Sequence, residues 1–167
     1  MSKIFKFAMV FAILGVSLSQ SAKNVRQTET NDNDTPARTT IAEKKVENNT
    51  IDDATYWGKV MNAIIQVESG GNSKAVNGQY VGAMQIAPIL VKDCNHILKS
   101  RNINKRYTLA DRYSVQKSKE MFILIQSRYN PSKDIEKGIR IWNGGCNYRV
   151  ASTNGYYRRV MNKMKDA

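Results

Sequence analysis

The chain is 167 residues long, with 26 Lys+Arg against 14 Asp+Glu and a formal net charge of +12. One histidine, His96, and two cysteines, Cys94 and Cys146, give poor support to a histidine-built zinc site or a Ser-His-Asp triad. Residues 1–55 balance basic and acidic side chains, so the positive excess falls after residue 55 and points to an anionic partner.

In chain order, Met1–Lys6 is short and basic and Phe7–Leu18 is almost wholly apolar. Ser17, Ser19 and Ser21 then supply small residues at the spacing a signal peptidase needs. This is the pattern of a secretory signal over residues 1–21, with an apolar run too short to span a bilayer comfortably. The expected location is therefore the periplasm, the cell wall or the exterior. No stable membrane span remains after cleavage, and nucleic acid is set aside as a partner. Residues 22–55 are rich in Asn, Thr, Asp, Lys and Glu and read as a disordered polar linker. That leaves residues 56–167 for one globular domain.

Apolar periodicity predicts five helices in that domain. The first, Tyr56 to Ser69, carries Trp57, Val60, Met61, Ile64 and Ile65. Asn77-Gly78 then signals a turn between Ala75-Val76 and Tyr80-Val81, a short hairpin. Pro88 opens the second helix, through Leu98. Asp111 is the expected cap of the third, with Val115, Phe122, Ile125 and Tyr129 on one side. Ser132 is the expected cap of the fourth, which carries Ile135, Ile139 and Trp142 and stops at Gly144-Gly145. The fifth holds Tyr157, Val160, Met161 and Met164. The fold class expected is mainly α. Cys94 and Cys146 are open to two readings, a disulfide in an oxidising compartment or free thiols, Cys94 lying on the apolar side of its helix.

Glu68 is the anomaly of the first helix. At about 100° per residue it falls between Met61 and Ile64, on the buried stripe and at its C-terminal end. Desolvation and the negative end of the helix dipole both favour a protonated carboxyl there, as a general acid requires.

Three further pieces share its surroundings in the sequence. Glu68-Ser69-Gly70-Gly71-Asn72 is followed by Gly82-Ala83-Met84-Gln85-Ile86-Ala87-Pro88. Trp142-Asn143-Gly144-Gly145 and Tyr156-Tyr157-Arg158-Arg159-Val160 come later. In this order and spacing the set resembles the lytic transglycosylases, whose catalytic domain is similar to goose-type lysozyme. The resemblance covers essentially residues 57 to 164, and it implies a lysozyme-like single domain. It implies that Glu68 is the catalytic acid/base, that Ser69 orients it, and that Met84 and Gln85 line the sugar-binding cleft. It further implies that Asn143 hydrogen-bonds substrate and that Tyr156 approaches the carboxyl from the last helix. Trp142 stands where the family usually has tyrosine, keeping a stacking face but not the hydroxyl. Ala83 replaces a larger residue.

The activity implied is cleavage of the β-1,4 bond between N-acetylmuramic acid and N-acetylglucosamine in peptidoglycan strands. The N-acetyl group assists and the muramoyl 6-hydroxyl closes a 1,6-anhydro ring, with no metal or cofactor. The sequence agrees in one respect: no Asp or Glu occurs between Ser69 and Lys92 to act as a second carboxylate, and Asp93 is expected to face solvent. Two alternatives stay open at this level. One is a hydrolase like goose-type lysozyme. The other is an inactive wall-binding scaffold within a secretion or conjugation complex.

Overall fold

The computed structural model describes residues 37–166; the expected signal over 1–21 and the first part of the expected linker, 22–36, lie outside the described residues. The elements are α1 (Ala37–Ser69), a hairpin of β1 (Val76–Asn77) and β2 (Tyr80–Val81), α2 (Pro88–Ser100), a 3₁₀ turn (Ala110–Tyr113), α3 (Val115–Tyr129), α4 (Ile135–Gly144) and α5 (Val150–Lys165). The architecture is thus mainly α with one short antiparallel hairpin. Among the described residues no helix is long and apolar enough to cross a membrane.

α1 begins well before Tyr56, inside the stretch read as linker. From Ala37 to Thr55 the sequence has neither Gly nor Pro, and its Ala, Glu and Lys are good helix formers. Its middle is also held by the domain. Lys133 pairs with Asp53 at 2.8 Å and Asp52 at 3.7 Å, and the Tyr56 hydroxyl donates to the Lys133 carbonyl at 2.7 Å. Among the described side chains, contact of this helix with the domain is seen from Asp52 onward.

The core follows the predicted stripes. Trp57, Val60, Met61 and Ile64 from α1 meet Leu90, Cys94 and Ile97 of α2, Met121, Phe122 and Ile125 of α3, and Ile139 and Ile141 of α4. Trp57, Phe122 and Trp142 form a chain of tilted and edge-on rings, with centroids 5.4 and 5.2 Å apart. Truncating a buried residue like Trp57 typically costs about 3–5 kcal/mol. α1 packs along α5, and α5 along α4.

The caps fall a few residues from their expected places. Ser114, not Asp111, caps α3 by accepting from Lys117 N–H, and Asp134, not Ser132, caps α4 by accepting from Lys137 N–H. Asp111 instead accepts from Thr108 N–H at 2.7 Å and so shapes the 3₁₀ turn. In the hairpin Asn77 pairs with Tyr80, so Gly78-Gln79 makes the turn, one residue beyond the expected Asn77-Gly78.

Candidate active site

α1 ends abruptly because Gly70 takes φ 63°, a conformation that closes helices and suits glycine, while its N–H bonds the Gln66 carbonyl at 3.1 Å. Glu68 is thereby left in the last turn, half-buried. Opposite it stands Tyr156 of α5, whose hydroxyl donates to Glu68 Oε1 at 3.0 Å. Tyr156 is 3% exposed. Burial, and then the neighbouring Glu68 carboxyl, push its phenol well above 10. The ring therefore stays a hydrogen-bond donor through the whole range in which a carboxyl titrates.

The chain returns to this point through a buried loop. Gly82, at φ 80°, packs so tightly that a Cβ there would lie 1.9 Å from the Arg112 carbonyl oxygen. Arg112 is itself buried. Its guanidinium donates to the carbonyls of Leu109, Gln79 and Ile86 at 2.9–3.1 Å, tying the hairpin to the 3₁₀ turn. No local sequence signal marks an arginine for such a task. Gln85, at φ 51°, donates through Nε2 to Gly82 O at 3.0 Å and Ala75 O at 3.2 Å. It fixes the loop against the strand before it.

The residues expected around Glu68 divide into two groups. Glu68 and Tyr156 meet. Ser69 is adjacent, but its hydroxyl donates to Ala83 O at 2.8 Å, with Ile65 O at 3.3 Å. It ties the helix end to the 82–87 loop and does not orient Glu68 by a hydrogen bond. Met84 is 0% exposed, so its side chain is core and lines no sugar-binding cleft. Trp142 is 7% exposed and its ring tilts against Phe122 with centroids 5.2 Å apart, so little of it reaches solvent. Asn143 is half-buried in the last turn of α4, and its side-chain amide makes no hydrogen bond among the described residues. That leaves its amide available.

The two cysteines are free thiols, Cys94 buried and Cys146 half-buried. The Cys94 thiol faces the Met121 carbonyl at 3.8 Å, and burial pushes Cys146 up to about 11, so neither is a ready nucleophile at neutral pH. His96 is exposed, and among the described residues no three His, Cys, Asp or Glu side chains gather as a metal site would need. Asp93 departs from the expected solvent-facing position. Its Oδ1 accepts from the Tyr129 hydroxyl at 3.1 Å, while Oδ2 is buried without a partner. Burial raises its pKa against the lowering effect of Tyr129, His96 and Arg128.

No family model, curated protein or solved structure matches the chain.

Proposed function

We propose that the domain is a peptidoglycan lytic transglycosylase of lysozyme-like fold, with Glu68 as its single acid/base. The observation that carries this reading is the Tyr156–Glu68 hydrogen bond at 3.0 Å, across 88 residues of sequence. A half-buried carboxyl at a helix end, held by a phenol that stays protonated, suits a group that must give a proton and take one back. Glu68 protonates the glycosidic oxygen as the bond to the muramoyl C1 breaks. The N-acetyl oxygen supports the electron-poor carbon from the opposite face. The carboxylate then removes the proton of the 6-hydroxyl, whose oxygen bonds C1 and closes the 1,6-anhydro ring. The acid ends the cycle as it began, and no water enters.

The export expected from residues 1–21 would bring such an enzyme to its polymer, and the basic domain suits an anionic wall. Working within a secretion or conjugation complex is compatible with this role. Turnover of purified peptidoglycan by wild type and Glu68→Gln tests it. Glutamine keeps the shape and cannot deliver a proton, so activity should fall by about 10²–10⁴-fold with the fold retained. Near wild-type turnover in the variant would refute the assignment and leave the scaffold reading.

A further inference from the structure

Arg159 lies three residues after Tyr156, on the same side of α5. Its guanidinium carbon stands 5.8 Å from the centre of the Tyr156 ring, whose hydroxyl reaches Glu68. The side chain runs back along the helix, as helical side chains do, and Nη1 comes within 3.7 Å of where a Cβ would sit on Gly155. The guanidinium thus lies low along the helix, over the Gly155 backbone. The residue is exposed, and among the described residues it makes no ion pair.

The buried arginines of this domain are spent on the fold. Arg140 pairs with Glu136 at 2.7 Å and bonds Thr153 Oγ1 at 2.9 Å, while Arg112 serves three backbone carbonyls. Other exposed arginines, such as Arg101 and Arg106, lie in the stretch that follows α2. Arg159 is set apart by its place, a planar cation with open donors next to the phenol that holds the acid. Such a fork is suited to gripping a carboxylate in two-point fashion.

We infer that Arg159 is a substrate-binding residue that takes a carboxylate carried by the muramoyl unit beside the scissile bond, and so selects acidic glycans over neutral ones. This rests on the transglycosylase reading and adds to it a discrimination that Glu68 and Tyr156 cannot supply. A polymer of N-acetylglucosamine offers the same backbone and the same acetamido groups but no carboxylate. The muramoyl unit offers one on its lactyl ether when free of peptide, or several on the peptide when it is attached. The electrostatic reach of Arg159 into the site is visible in Tyr156, whose phenol it draws downward against the larger effects of burial and Glu68.

The test compares full-length wild type, Arg159→Gln and Arg159→Lys on three glycans: peptide-bearing strands, strands stripped of peptide, and the neutral N-acetylglucosamine hexamer. Arg159→Gln should raise KM on the acidic strands roughly tenfold, as loss of a charge-assisted contact does, with a much smaller change in kcat. Binding of the hexamer should move by less than about twofold, and lysine should restore part of the loss. Added salt should narrow the gap between wild type and Arg159→Gln. A loss confined to one kind of strand assigns the carboxylate to the lactyl group or to the peptide. If wild type cleaves the strands and Arg159→Gln matches it on all three glycans, the inference is wrong and the transglycosylase reading stands. If wild type neither binds nor cleaves any of them, both fall together.

Discussion

The hydroxyl of Tyr156 and the carboxyl of Glu68, one from the last helix and one from the end of the first, meet at 3.0 Å. The contact depends on α1 and α5 packing along each other, so the same pair that would carry the chemistry also reports whether the domain is assembled.

Tyr156→Phe isolates that contact. The ring and its packing are kept, and only the donor to Glu68 Oε1 is lost. Removing one partner of a buried hydrogen bond costs about 1–3 kcal/mol, so a lower melting temperature is expected, together with a fall in kcat of roughly tenfold or more. Differential scanning calorimetry and turnover on peptidoglycan check the two effects. Unchanged stability and unchanged kcat would mean that the bond does not matter to either.

Gly82→Ala tests the loop that returns the chain to the site. Its φ of 80° is strained for alanine, and the new methyl would meet the backbone oxygen of Arg112, which has no side-chain freedom to yield. The cost should be about 3 kcal/mol or more, read from denaturant unfolding. A change below about 0.5 kcal/mol would show that the loop and the 3₁₀ turn are not held together as described.

Much of the fold was legible in the sequence, and less of the site. The helical stripes are set by apolar spacing, which survives into packing, and Glu68 stood out because a carboxyl on such a stripe is costly. Cap residues were misplaced because Ser and Asp cluster near each helix start, and spacing cannot choose between Asp111 and Ser114 or between Ser132 and Asp134. The start of α1 was missed because composition alone does not separate a polar helix from a polar coil when a distant residue, here Lys133, secures it. The resemblance implies that Met84 lines the cleft, while apolar spacing puts Trp142 beside Ile135 and Ile139, and an apolar side chain beside polar neighbours gives no local cue to its direction. Ser69 spends its hydroxyl on Ala83, a partner that only the folded chain brings within reach. The position of Arg159 was readable in principle from its three-residue offset from Tyr156.

Asp93 makes a prediction about pH. Burial raises its carboxyl above the ordinary 3.8, so the folded state binds the proton more tightly than the unfolded chain does. Its contribution favours the fold below that ordinary value and is lost as pH climbs through the raised one. Relative to Asp93→Asn, wild type should therefore lose stability as pH rises from below 3.8 through the raised carboxyl range. Paired melting curves across that range check the sign. A wild type that gains on the variant as pH rises would contradict the burial of Asp93.

The most direct measurement of the central claim is the chemical nature of the cut ends. A hydrolase must position and activate water, usually with a second carboxylate across the sugar from the acid. Here the 6-hydroxyl is tethered to the reacting centre and gains from proximity, while no Asp or Glu occurs between Ser69 and Lys92. Digestion of purified peptidoglycan should therefore give fragments ending in 1,6-anhydro-N-acetylmuramic acid. By mass spectrometry they should be lighter by one water than hydrolysis products, and they should carry no reducible end. Fragments dominated by reducing ends would contradict the account and make the enzyme a hydrolase.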